Sequence, residues 1–246
     1  MKHSIIIPLR NRTARLNLCL WSIARSATHC DIDPLNYEII VVDNGSKIVP
    51  ELDGVRLIRD RSEMEVLNKP KLLNIGIEAA TGDILTFLDA DAIVGIDWME
   101  NIRQLPHGTP IIRLCYQVRK LPETMIDALS DKMRRDDVIA DCFSQWFSYH
   151  IAHEAYGKPE TNRKQPGAVF GNSQFSIRRD VLGDLRCNEE YVGRGYEDLW
   201  FIREIAYRAH PNYKGVLIED AQKAMFHIDN VHGGPDWWVP PFSDRN

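Results

Sequence analysis

The chain has 246 residues, 44% of them hydrophobic and 26% charged, a globular balance that excludes a disordered or low-complexity scaffold. Thirty Lys and Arg against 35 Asp and Glu give a formal charge of -5, so the totals lend no support to a broad basic face for duplex nucleic acid. An anionic partner would have to be met locally.

Five cysteines, Cys19, Cys30, Cys115, Cys142 and Cys187, are scattered without a C-x-x-C pair. That argues against a disulfide framework or a thiolate zinc site and fits a reducing compartment. Only Ile5, Ile6 and Ile7 form an apolar run before Pro8, too short for a signal-peptide core, and no run approaches the ~20 residues of a membrane span. A soluble, cytoplasmic protein is expected.

Four short runs dense in Ile, Val, Leu or Phe come early: Ser4–Leu9, Tyr37–Val42, Val55–Arg59 and Ile84–Leu88. Continuous apolar runs of this length suit strands buried on both faces of a parallel sheet. Between them, Thr13–Ala27 places Leu16, Leu20, Ile23 and Ala27 on one helical stripe. Lys69–Ala80 does the same with Leu72, Leu73, Ile75, Ile77 and Ala80 before Gly82, a residue suited to a helix C-terminus. Alternating strand and helix predicts a doubly wound α/β half.

After about Gly95 the pattern changes. Thr124–Tyr156 is long, polar and helical, Lys158–Pro166 reads as a loop, and Ala168–Ile177 reads as a strand pair. Tyr196–Arg208 is expected as a helix, and Gly215–Ile218 and Ala224–His227 as strands. No linker separates two domains. The expectation is one domain over residues 1–246, with a ligand-binding half to about residue 95 and a second half from about 96.

In open α/β sheets ligands lie beyond the carboxyl ends of the strands. Those ends carry Pro8-Leu9-Arg10-Asn11-Arg12, Asp43-Asn44-Gly45-Ser46 and Asp89-Ala90-Asp91. Two carboxylates with one residue between them repel unless a cation neutralises them, and hard oxygen donors suit Mg²⁺ or Mn²⁺; a solvated acidic turn is the alternative. Asp43 either caps its turn or accepts an imide N–H. Arg10, Arg12 and Lys71 are placed to meet phosphate or base, or simply to be solvated. No glycine-rich dinucleotide loop and no P-loop follows the first strand, so metal and cations would have to hold the phosphate.

Ile5–Arg12, Asn68–Gly76 and Phe87–Asp91, followed by Phe170-Gly171-Asn172 and Gly193-Arg194-Gly195-Tyr196-Glu197-Asp198, resemble the GT-A glycosyltransferases. The pattern is most similar to the β-1,4-galactosyltransferase catalytic domain, and family 2 glycosyltransferases share the Asp43 turn and the D-x-D. The resemblance implies a GT-A, Rossmann-like, mostly parallel sheet flanked by helices, with a nucleotide-sugar half and an acceptor half. It also implies metal-dependent, inverting transfer of a hexose or N-acetylhexosamine from a UDP-sugar to a hydroxyl of a glycan or other acceptor, with Mn²⁺ or Mg²⁺. Carried over, Pro8, Arg10, Arg12, Lys71 and Asp89 meet the nucleotide and Asp43 the uracil. Asp91 and His227 bind the metal, Asp198 is the base and Glu197 stands beside it. Asn172, Gly193, Arg194 and Gly195 contact donor or acceptor sugar.

The sequence departs from the galactosyltransferase pattern at Val192 and Arg194, where that family has Trp, and Met225 lies two positions before His227. His232 competes with His227 as a ligand. Trp237-Trp238 could stack on a sugar or pack as core, while Trp146 and Trp200 suit core positions. Inverting transfer needs one carboxylate base and a cation at the leaving diphosphate, unlike the carboxylate pair of a glycoside hydrolase. Glycines before Glu197-Asp198 would let a loop close over the donor; acids in a helix's first turn also serve its dipole. A catalytically silent nucleotide-sugar or glycan-binding module is the alternative function.

Overall fold

The computed structural model describes residues 1–48, 53–62, 66–103, 113–116, 118–122, 175–192, 197–208, 215–218 and 225–229. In chain order these form β1 (His3–Leu9), α1 (Thr13–His29), β2 (Tyr37–Asn44), β3 (Val55–Asp60), α2 (Lys69–Ala79) and β4 (Ile84–Phe87). There follow β5 (Ala92–Ile93), α3 (Trp98–Arg103), β6 (Arg113–Tyr116), β7 (Val118–Pro122), β8 (Phe175–Arg178) and α4 (Arg179–Leu182). The last are α5 (Glu197–Arg208), β9 (Gly215–Ile218) and β10 (Met225–Asp229).

The main sheet has the order β3-β2-β1-β4-β8. Its first four strands are parallel, and β8 runs antiparallel to β4. The chain leaves β1 in one direction to reach β2 and β3 and returns on the other side as β4, so the order reverses between β1 and β4. That is the switch point at which α/β sheets bind ligands.

Apolar residues on alternate sides of β1 and β2 feed two separate cores, as a sheet covered on both faces requires. Ile5, Ile7, Leu9, Ile39 and Val41 pack with α1 and α3 through Leu16, Ile23, Trp98 and Ile102. Ile6, Ile40 and Val42 pack with α2, β4, β8 and α5 through Leu72, Ile77, Phe87, Phe175 and Phe201. Two smaller sheets, β5-β10-β7 and β6-β9, complete the described strands.

The α/β class and the mostly parallel sheet are as the sequence predicts. Gly82 has a different role from the one expected. Helix α2 ends with Ala80 extended at its C-cap, and Gly82 lies where a Cβ would come within 2.7 Å of the Ser4 backbone nitrogen. Absence of a side chain there serves the approach to β1, as it does at Gly76, where a Cβ would meet Ile6 Cγ2 at 2.3 Å. Of the predicted strand pair over 168–177, the described part is the single strand β8. The expected helical stretch over 124–156 and the loop over 158–166 lie outside the described residues.

Candidate active site

Turn chemistry at the carboxyl ends of β1 and β2 builds the first wall of the site. Asp43 is 2% exposed and accepts from Ser46 N at 3.3 Å as well as from the Ser46 hydroxyl. Gly45, at φ +68°, supplies the left-handed residue this turn needs. Ser46 Oγ in turn accepts from Asn11 N at 2.8 Å, and Lys47 N donates to Asn11 Oδ1 at 2.9 Å. The loops after β1 and β2 are thereby tied together, with Asp43 doing the capping.

Arg10 donates to Asn44 Oδ1 at 3.3 Å, and Asn44 Nδ2 donates to Asp60 at the end of β3 at 3.2 Å. Lys71 reaches the same Asp60 at 3.2 Å. Burial alone would raise the Asp60 carboxyl, but bonds from Ser62 and Lys71 hold it below the ordinary carboxylate range. Asp60 is a residue sequence reading missed; its place at the end of an apolar strand is the signal that could have found it.

The two acids of the D-x-D part company. Asp91 is wholly buried and ion-paired with Arg12, with Arg15 at 3.8 Å. Asp89, partly exposed, accepts from Lys69 Nζ at 2.8 Å. The same ammonium stands 3.5 Å from Asp198 Oδ1 on α5, so the strand-end acid and the helix-start acid face one cation. Desolvation lowers Lys69, but Asp198, Asp89 and Glu197 outweigh it and hold the ammonium above the usual lysine range. Burial pushes the Asp198 carboxyl up to about 6, against the pull of Lys69 and with repulsion from Glu197 and Asp89. A carboxylate in that range serves as a proton acceptor near neutral pH.

Asp198 reaches this position through the packing of α5. One turn further along the helix, Phe201 is 2% exposed and meets Phe87 edge-on at 5.6 Å and Phe175 at 6.0 Å. Residues three apart share a helix face, so anchoring Phe201 over β4 and β8 aims Asp198 back across the end of β4. Glu197 is 9% exposed, and its Oε2 has no hydrogen-bond partner among the described residues. Trp200 packs at the edge of the same core, as expected of it.

Pro8 is buried inside β1, where the ladder to β4 has already stopped at Ile6, so its missing N–H costs no bond on that side. His227 pairs in backbone register with Ala92, the residue after Asp91. Asn172, Gly193, Arg194, Gly195, His232, Trp146, Trp237 and Trp238 lie outside the described residues. The structure thus collects Arg10, Arg12, Asp43, Lys71, Asp89, Asp91, Glu197 and Asp198 along the carboxyl edge of the sheet, with Asp60, Lys69 and Arg15 added.

TarS of S. aureus is similar in structure, with a TM-score of 0.60 at 15% identity over 93% of this chain and 60% of that one. The fold is that of a GT-A glycosyltransferase. TarS solved with UDP aligns with the same TM-score, 0.60, and TarS with UDP-GlcNAc with 0.56, at 14% and 16% identity over 93% and 94% of this chain. Residues 4–105 match the model of glycosyl transferase family 2, one of the two groups that the sequence resembles. Glycosyltransferase AglE of Haloferax volcanii is 32% identical over 119 residues, 44% of this chain and 36% of its own length. Validoxylamine A glucosyltransferase of Streptomyces hygroscopicus subsp. limoneus is 24% identical over 223 residues, 84% of this chain and 47% of its own length. The chain therefore spans less than half of either curated relative. No helix among the described residues is long and apolar enough to cross a membrane.

The donor chemistry at the end of β4 fits a divalent cation. Asp89 and Asp91 offer hard oxygens, but Arg12 and Arg15 on Asp91 and Lys69 on Asp89 already neutralise them, so a metal ion would have to displace such a partner. Among the described residues no three His, Cys, Asp or Glu side chains converge as a ready-made metal cage.

Proposed function

We propose that the chain transfers a hexose or N-acetylhexosamine from a UDP-sugar to a hydroxyl of a glycan or other acceptor, with inversion. The observation that carries the proposal is the meeting of Asp198 with Asp89 across Lys69 at the switch point of the sheet. The UDP and UDP-GlcNAc complexes of TarS support a uridine nucleotide as the donor type.

Asp198 takes the proton of the acceptor hydroxyl while that oxygen bonds to the anomeric carbon. The bond from the anomeric carbon to the phosphate oxygen breaks and UDP leaves. A base near 6 is largely deprotonated at pH 7 yet basic enough to accept the proton in the transition state. Glu197, buried beside it, would accept from a sugar hydroxyl. On the nucleotide side, Asp43 with Arg10 and Lys71 faces the uridine, and Pro8 and Arg12 line the way to the diphosphate.

Asp91 and His227 would hold a Mn²⁺ or Mg²⁺ ion, which when bound would supply positive charge to the departing diphosphate, with Asp89 facing the nucleotide. Gly193, Arg194, Gly195 and Asn172 are proposed sugar contacts from the motif alone.

The test is UDP release from a panel of nucleotide sugars, with and without Mn²⁺, alongside UDP binding by calorimetry. We expect release with at least one UDP-sugar and loss of it in Asp198→Asn with UDP binding kept. Donor binding by the wild type without turnover for any acceptor or water would favour the silent binding module; failure to bind any nucleotide sugar would overturn both.

A further inference from the structure

The base candidate and the D-x-D come from segments far apart in sequence, and α2 is what brings them into register. Its start is set by Asn68, whose Oδ1 caps Lys71 N at 3.0 Å while its Nδ2 donates to Glu189 O at 2.8 Å. Nearly two turns on, Asn74 exchanges bonds with Cys187 at 2.8 and 3.0 Å and donates to Glu189 Oε1 at 2.8 Å. Both asparagines are buried. The segment that leads to α5 is thus stitched onto α2 by buried amide bonds, whose loss would leave unsatisfied polar groups. Lys69, the first residue of α2, carries the stitching to the reacting end of the site.

The two contacts of Lys69 differ in kind. At 2.8 Å its ammonium makes a full hydrogen bond to Asp89, and at 3.5 Å it stands at ion-pair distance from Asp198. Its side chain is only 13% exposed, so these charges meet with little screening by water. The looser contact attracts and orients the Asp198 carboxylate while leaving its lone pairs available for a proton. Remove the ammonium, and Asp89 and Asp198 lose the cation they share.

We propose that Lys69 is a positioning residue of the transfer reaction, holding Asp198 at a fixed distance from the strand-end acid so that the base meets the acceptor hydroxyl. This rests on the proposed function and names a residue that the motifs did not assign. Because Lys69 acts through Asp198, its removal lowers turnover without weakening the nucleotide, and it loses its effect once Asp198 has gone.

The experiment is UDP release and UDP affinity for the full chain, comparing wild type, Lys69→Met, Lys69→Arg, Asp198→Asn and the Lys69→Met/Asp198→Asn double variant. Misplacing a catalytic group by about 1 Å costs on the order of 10²-fold, so kcat in Lys69→Met is expected to fall by about that factor with UDP affinity unchanged. Lys69→Arg, which keeps a bridging cation, recovers most of the loss. In the Asp198→Asn background the Lys69→Met change lowers the residual rate by less than a factor of about two, as coupled residues do.

Parallel loss of UDP affinity and kcat would overturn the proposal, because Lys69 would then act on the diphosphate. So would a Lys69→Met effect undiminished in Asp198→Asn. Circular dichroism checks each fold, and Lys69→Gln replaces the Met variant under the same criteria if the latter is unfolded. A wild type that neither binds UDP nor releases it overturns the proposed function and this inference with it, whereas an active wild type with uncoupled variants overturns this inference alone.

Discussion

Replacing Asp198 by Asn separates the energetic position of the base from its chemistry. Burial and the neighbouring acids move this carboxyl from 3.8 to about 6 despite Lys69, a bias against the charged form on the order of 3 kcal/mol at about 1.4 kcal/mol per unit. The folded-state value lies above the unfolded one, so the folded state carries this penalty in full above pH 6. The penalty is relieved as pH falls from about 6 towards 3.8. A neutral isostere removes it at pH 8, where Asp198→Asn is expected to raise the melting temperature, by about 2–4 °C for each kcal/mol recovered in a chain of this size. The gain shrinks towards pH 4.5, where the native carboxyl is already protonated. Turnover moves the other way, falling about 10²–10⁴-fold with loss of the base. In the wild type, log kcat/KM for UDP release is expected to rise with unit slope up to an inflection near pH 6 and then level off. Scanning calorimetry at the two pH values and a pH–rate profile check these together. An acid limb inflecting near 4, or a variant less stable than wild type at pH 8, would refute the reasoning that burial dominates at this carboxyl.

Asp91→Asn breaks a wholly buried ion pair and leaves Arg15, 8% exposed, facing an amide; urea unfolding should show a loss of about 3–5 kcal/mol. Phe201→Ala empties the aromatic contact with Phe87 and Phe175. A loss of about 3–5 kcal/mol is expected, and in folded protein at low temperature kcat should drop more than UDP affinity, because α5 carries Asp198. Asp43→Ala strands the Ser46 amide and hydroxyl, at about 1–3 kcal/mol, and should weaken UDP binding in calorimetry while leaving the α5 end of the site unaffected.

The first half was legible because its strands are buried on both faces and therefore read as unbroken apolar runs. His3–Leu9 and Tyr37–Asn44 differ from the expected spans by only one or two residues. Helix α1 shows its core stripe, yet the same stripe hides Arg15. An arginine between Thr13 and Leu16 reads as part of the solvated face, but it is 7% exposed and points at Asp91. Lys69 was obscured for a related reason, since a lysine beginning a helix carries no periodic signal and its partners are distant in sequence. Glu197 and Asp198 could be read as acids suited to a helix N-terminus, a description that is correct for α5 but silent about which face they share with Phe201. Asp43 shows the opposite limit: its capping bonds were inferable from the turn sequence, while a second role toward a nucleobase belongs to the proposal.

The D-x-D shows most plainly what one dimension conceals. Residues two apart on a strand point to the same face, so Asp89 and Asp91 at the end of an apolar run read as two like charges side by side. The strand stops at Phe87, however, and the chain turns, with Ala92 N bonded back to Asp89 O at 3.0 Å. That turn breaks the alternation and separates the carboxylates. Asp91 goes to the α1 side, where Arg12 and Arg15 meet it, and Asp89 goes to the α2 and α5 side, where Lys69 and Asp198 wait. Each acid is neutralised by cations from a different part of the fold, so their mutual repulsion is relieved before any ligand arrives. The motif is therefore divided in its work: Asp91 ties the end of β4 to the first core, and Asp89 faces the side on which the proposed base is held.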